Sequence, residues 1–198
     1  MTNLMGKMLN LPPRRQPSAL DRLFRVFADF DRFEEQVPLH YLQDRLQALP
    51  LKRSDVAGYV AFDEGYYQRH LLYEGKAFRA LILCWGSGQR SPIHNHTGSN
   101  CFVKVIEGAA TEIQFSRSDC GLLFPREMKQ VRAGESTVCQ DREMHQVGNL
   151  QPAGHDLVTL HVYSPPLQRM ELFSLKESVF ADYDELLAGP RQREGRRL

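Results

Sequence analysis

Two histidines separated by one residue, His94 and His96, stand in the stretch Gly88-Gln-Arg-Ser-Pro-Ile-His94-Asn-His96-Thr-Gly-Ser-Asn-Cys101-Phe-Val-Lys-Val-Ile-Glu-Gly108. On an extended strand residues two apart leave the same face, so both imidazoles are expected to converge on one metal ion. Thr97 to Asn100 then turn the chain, and Phe102 to Ile106 carry it back to Gly108. A second stretch, Gly134-Glu-Ser-Thr-Val-Cys139 followed by Asp141-Arg-Glu-Met-His145-Gln-Val-Gly-Asn149, offers a third imidazole, His145, from a neighbouring strand. Three neutral nitrogen donors leave a divalent ion its full charge and open positions, which favours an anionic incoming ligand. A small thiolate suits such a site. Ferrous iron can pass electron density from sulfur to dioxygen, whereas redox-inert zinc cannot.

The rest of the composition narrows what surrounds that site. With 198 residues the chain is expected to form one domain with terminal extensions: a lead-in over 1–17, a body over 18–188 and a tail over 189–198. Its 25 Lys and Arg balance 24 Asp and Glu, a net charge of +1 that gives no footprint for nucleic acid. No stretch approaches the roughly 20 apolar residues of a membrane span, and no signal-peptide pattern is seen, so a cytoplasmic protein without membrane partners is expected. Cys84, Cys101, Cys120 and Cys139 lack CxxC spacing, which points to reduced thiols. No long apolar helix face is left over, and a monomer is the expectation.

The elements that must hold the histidines in place can also be read. Pro12, Pro13 and Pro17 mark an extended or disordered, flexible lead-in. Ser18-Ala-Leu-Asp21 has the form of a helix cap, followed by Leu20, Leu23, Phe24, Phe27, Phe30 and Phe33 at helical spacing. A second helix is expected from Leu39 to Leu49, closed by Pro50. From Tyr66 to about residue 174 the texture is of short β runs between glycine-containing turns: 66–73, 78–85, 101–107, 109–115, 128–131, 135–139, 157–163 and 170–175. Such a series indicates a mainly β antiparallel barrel or jelly roll with N-terminal α-helices. Val179 to Leu187 is expected to add a last short helix, and the basic tail after it to be solvated.

The arrangement of Gly88, His94, His96, Cys101 and Gly108 resembles the first motif of the cupins, and Gly134, His145 and Asn149 resemble the second. Most cupins carry a metal-binding glutamate where this chain has Cys101, and that departure is similar to the cysteine dioxygenase branch, the thiol dioxygenases. The resemblance runs from about Tyr67 to Pro166 and implies a cupin jelly-roll β-barrel binding Fe(2+) through His94, His96 and His145. Leu160-His161-Val-Tyr163-Ser-Pro-Pro166 resembles the family's catalytic tyrosine segment, with Thr159 at the serine position of a Ser-x-His-x-Tyr relay. A threonine hydroxyl makes the same hydrogen bond. Residues 159, 161 and 163 alternate onto one strand face. The family implies a thioether between Cys101 and Tyr163 as a protein-derived cofactor, and a cis bond at Ser164-Pro165.

Substrate choice turns on Tyr67-Gln-Arg69. Arg69 matches the arginine that clamps the substrate carboxylate in cysteine-oxidising members, and its planar fork suits that task. Tyr67 is matched as well. Members preferring 3-mercaptopropionate carry glutamine in place of that arginine, and Gln68 is expected on the opposite strand face. The resemblance thus implies oxidation of L-cysteine by dioxygen to cysteine sulfinate. A 3-mercaptopropionate dioxygenase is the alternative, and a zinc or manganese isomerase or a non-catalytic small-molecule sensor on the same fold stay open. His40, His70 and His155 read as packing or surface residues, and Trp85, which could line a pocket, reads as a core residue.

Overall fold

The computed structural model describes residues 16–174 and the backbone of a further strand over 178–182. The first helix, α1 (Ala19–Phe30), starts where Ser18 caps it: the Ser18 hydroxyl accepts from Asp21 N, and the Asp21 carboxylate accepts from Ser18 N. Its apolar stripe, with Leu23, Phe27 and Phe30 wholly buried, lies against Tyr73 and Phe78. Pro38 opens α2 (Leu39–Gln47), and a 3-10 segment, Arg53–Tyr59, completes the helical layer. No helix among the described residues is long and apolar enough to cross a membrane.

The strands are β1 (Gln68–Glu74), β2 (Arg79–Trp85), β3 (Ile93–His94), β4 (Asn100–Glu107), β5 (Ala109–Arg117), β6 (Leu123–Arg132), β7 (Ser136–Cys139), β8 (Met144–Gly148), β9 (Leu157–Ser164), β10 (Arg169–Phe173) and β11 (Ser178–Asp182). They form two antiparallel sheets, β1-β2-β9-β4-β7 and β11-β10-β3-β8-β5-β6, in a jelly-roll arrangement. The period-2 alternation of strand side chains divides the core. Even positions such as Ile82, Phe102, Leu160 and Val162 pack against the helices, and odd positions such as Leu83, Val103, Leu157 and Tyr163 face the space between the sheets. Thr159 and His161 have the same parity as Tyr163, so the strand that packs the helices on one side delivers polar groups to the interior on the other. The expected helix over Val179–Leu187 is not what forms: 178–182 pairs with β10 as a strand, and 183–187 lie outside the described residues. The sequence there has apolar residues compatible with either period, and the open edge of β10 decides for the strand. Residues 1–15 and 183–198 likewise lie outside the description. The Ser164-Pro165 bond is cis.

Two features off the site fix the frame. Lys104 faces the helices and is 2% exposed, with its ammonium donating to the carbonyls of Gln47, at the end of α2, and Gly134. Gly108 joins β4 to β5 at φ +79°, and a Cβ there would press into the backbone oxygen of Asp156. Gly108→Ala is therefore expected to destabilise the fold by at least about 1–2 kcal/mol, measured as a lower urea midpoint, because left-handed strain and a backbone clash add.

Candidate active site

Three buried imidazoles meet at one end of the space between the sheets. His94 ends β3 and is the direct cross-strand partner of His145 on β8, with ring centroids 4.6 Å apart. His96 lies 5.0 Å from His94 and 4.9 Å from His145, and the three offer ligand atoms within 4.8 Å of one another. The route to this arrangement differs from the same-face reading of the sequence. β3 stops at His94, and His96 sits in the following turn, aimed by backbone contacts instead of by strand alternation. Its N–H donates to the Asp141 carbonyl at 2.9 Å and its carbonyl accepts from Ser99 N at 2.7 Å, while the Asp141 carboxylate accepts from Gly98 N.

The far nitrogens of two rings are tied down. His94 Nδ1 contacts the Pro92 carbonyl at 2.9 Å, and His145 Nδ1 lies 3.0 Å from Glu112 Oε1. His145 Nε2 and His96 Nδ1 are left buried with no hydrogen-bond partner. Unpartnered buried nitrogens are costly unless something else takes their lone pairs, and a nitrogen-rich trio at this spacing fits a divalent metal. Burial, then the neighbouring imidazoles, hold His94 and His96 far below the ordinary histidine range, so both stand as neutral donors.

Glu112, in contact with the His145 ring, is the site residue that motif reading passes over. It is 2% exposed on β5, and its second oxygen pairs with Lys129 Nζ at 3.1 Å and accepts from Thr137 Oγ1 at 3.2 Å. Burial works to raise its carboxyl, but His145 and Lys129 outweigh that and hold it ionised below its ordinary value. A carboxylate on the outer ring nitrogen orients the imidazole and raises its basicity toward a metal. The sequence signal was parity: Glu112 alternates with buried Ala110, and an acid on the inward face of a strand needs a partner.

On the opposite wall, β9 presents Thr159, His161 and Tyr163. His161 Nε2 lies 3.0 Å from Thr159 Oγ1 and its Nδ1 3.3 Å from the Tyr163 hydroxyl. Cys101, on β4, is the cross-strand partner of Tyr163, and its sulfur is 3.9 Å from His161 Nδ1. Burial pushes the Cys101 thiol up, away from the thiolate. Arg69 reaches the same cavity from β1, its guanidinium hydrogen-bonded to the Tyr67 hydroxyl and lying 4.5 Å from that ring's centre. Tyr67 in turn stacks on Trp85 at 4.0 Å and 11°. Gln68 bonds back to the Tyr66 carbonyl and does not line the cavity. Among the described residues lining the cavity Arg69 is the one arginine or lysine, and no carboxylate lines it. His40, His70 and His155 lie outside it.

The buried relay makes acid stability legible. Burial first, then the nearby His145 and Arg69, lowers His161 to about 3 from an ordinary value of 6.5. Between those values the unfolded chain binds a proton that the folded chain refuses. The His161 contribution to stability is therefore complete above pH 6.5 and is lost as the pH falls toward 3, at up to about 1.4 kcal/mol per pH unit. Urea unfolding of metal-free protein between pH 7 and 4 is expected to show a slope about one proton shallower in His161→Asn than in the parent chain.

Comparison with known proteins agrees with this geometry. The sequence model of the family "Cysteine dioxygenase type I" matches residues 16–176, a span that takes in the N-terminal helices as well as the β region. The chain is 31% identical over 170 residues to cysteine dioxygenase type 1 from Bos taurus, covering 82% of this chain and 80% of that protein. The Homo sapiens protein gives the same identity and coverage, and the Danio rerio protein is 30% identical over 166 residues, with 80% of each covered. Among solved structures, an uncharacterized conserved protein with a double-stranded beta-helix domain from Klebsiella pneumoniae superposes with a TM-score of 0.50 at 20% identity, covering 59% of this chain and 87% of that one. That likeness speaks for the cupin fold alone. With the match extending from the helix that packs the outer sheet face to the strand beyond the tyrosine segment, the chain belongs to the cysteine dioxygenase type I family.

Proposed function

We propose that the protein is an iron-dependent dioxygenase that converts L-cysteine to cysteine sulfinate, adding both atoms of one dioxygen molecule to the thiol sulfur. The observation that carries this reading is the meeting of three buried imidazoles, two with partnerless nitrogens, in a cavity where Arg69 is the one arginine or lysine among the described lining residues. His94, His96 and His145 would hold the metal. Ferrous iron, when bound, supplies open positions for thiolate and dioxygen and the capacity to move electrons between them.

Around it the chain positions the substrate. Arg69 pairs with the substrate carboxylate, and Tyr67 and Trp85 brace its guanidinium from behind. Tyr163 hydrogen-bonds to the reacting thiol acid, and His161 with Thr159 sets the angle of the phenol. Helices and two packed apolar layers keep water from the sulfur. No carboxylate lines the cavity among the described residues, so an ammonium group finds no counter-ion there and selection rests on thiol and carboxylate. Amine-free thiol acids such as 3-mercaptopropionate are thus expected to enter and compete.

The decisive experiment is oxygen uptake by iron-loaded protein with L-cysteine, with 3-mercaptopropionate alongside. One dioxygen consumed per sulfinate formed supports the reading. A far higher kcat/KM for 3-mercaptopropionate assigns the substrate to that acid, and no uptake with either thiol overturns the dioxygenase. We further propose that Cys101 and Tyr163 join as a thioether, an oxidation by dioxygen that removes two hydrogens and forms one carbon–sulfur bond. Intact mass after turnover is expected to include a species two hydrogens lighter that resists reducing agents and is absent from Cys101→Ala.

A further inference from the structure

Behind the relay stands one more donor. Trp85, the chain's one tryptophan, is 1% exposed at the end of β2, with its carbonyl held by Asn149 Nδ2 at 2.9 Å. Its indole N–H donates to Thr159 Oγ1 at 3.0 Å. Thr159 is fully buried, and among the described residues its hydroxyl has two hydrogen-bond neighbours, Trp85 Nε1 and His161 Nε2. An indole nitrogen only donates. The hydroxyl hydrogen therefore has one acceptor to go to, His161 Nε2. A neutral imidazole carries a single N–H, which then sits on Nδ1, facing two groups that can both accept, the Tyr163 hydroxyl at 3.3 Å and the Cys101 sulfur at 3.9 Å.

We infer that Trp85 is a positioning residue that sets the direction of the relay: by presenting a pure donor in the one other direction the Thr159 hydrogen could take, it fixes the Nδ1–H tautomer of His161 and makes the Tyr163 oxygen an acceptor in that contact. The Tyr163 hydroxyl hydrogen is turned away from His161, toward the Cys101 sulfur or the cavity. The opposite arrangement, with His161 Nε2–H donating to Thr159, strands the threonine hydrogen in a site with no exposure, which disfavours it by roughly tenfold or more. Sulfur in place of the indole N–H gives the threonine hydrogen a second direction to turn, so His161 Nε2–H can then donate to the hydroxyl and the preference falls. That Tyr163 then donates to substrate rests on the function proposed above; the tautomer does not.

The test reads the tautomer itself. In metal-free protein labelled with [15N]histidine, long-range proton–nitrogen correlation separates protonated from bare ring nitrogens, and the His161 signals are those lost in His161→Asn. The expected result is protonated Nδ1 and bare Nε2, with an excess of roughly tenfold. Because the chain has a single tryptophan, biosynthetic replacement by β-(3-benzothienyl)alanine puts sulfur in place of this one N–H and nothing else. It is expected to lower the tautomer ratio by about tenfold, toward an equal mixture. Thr159→Ser keeps the hydroxyl and is expected to keep the Nδ1–H form. Protonation at Nε2 in the parent protein overturns the inference, as does a ratio that the benzothienyl replacement leaves unmoved. Should the replaced protein not fold, the parent tautomer and the Thr159→Ser result decide alone. Since no measurement uses turnover, a protein that oxidises no thiol can still show the tautomer, and an active dioxygenase can lack it.

Discussion

His145→Ala is expected to lose its metal on dialysis and to drop thiol-dependent oxygen uptake to background. The substitution removes one of three donors and also strips Glu112 of a partner in a site where that carboxylate is 2% exposed. What remains is a buried anion held by Lys129 and Thr137 and two imidazoles that cannot close around an ion. Glu112→Gln tests the next layer. The amide can still contact His145 Nδ1 but carries no charge, so metal affinity or turnover is expected to fall about 10–100-fold with the three ligands intact. Metal content after dialysis, set beside oxygen uptake, separates the two variants. Full metal retention by His145→Ala would place the ion elsewhere.

The graded response expected of these two residues mirrors how visible each is in the sequence. Strand alternation is a strong local signal, and it places Thr159, His161 and Tyr163 on one face because nothing interrupts β9 over its eight residues. The capping box at Ser18 is equally local, and α1 begins where it says. His96 is different. Its direction comes from contacts with Asp141 and Ser99, one of them 45 residues away in sequence, and a turn has no period from which to read such contacts. The end of the chain shows the same limit from the other side, since the pairing of 178–182 with β10 depends on an exposed edge that apolar spacing alone does not reveal. Trp85 combines both cases. Its burial follows from its place in a buried strand, whereas the use of its N–H depends on a neighbour across the sheet. Glu112 was within reach by parity, but a single inward acid carries no motif to announce it.

Arg69→Gln is expected to lower kcat/KM for L-cysteine by about 30-fold, the worth of roughly 2 kcal/mol for a charge-assisted bond to a carboxylate. The loss should appear mainly in KM if Arg69 binds substrate equally before and during reaction. Cysteamine, which has the thiol and amine but no carboxylate, is the informative comparison. The parent protein should use it poorly, and Arg69→Gln should leave it within about threefold, since the missing carboxylate never engaged the fork. Arg69→Lys keeps the charge without the planar geometry and should fall between the two. Because Arg69 also contacts Tyr67, and Tyr67 stacks on Trp85, a purely structural role predicts that cysteamine and cysteine suffer together. Equal losses for both thiols would remove Arg69 from the substrate and return it to the scaffold.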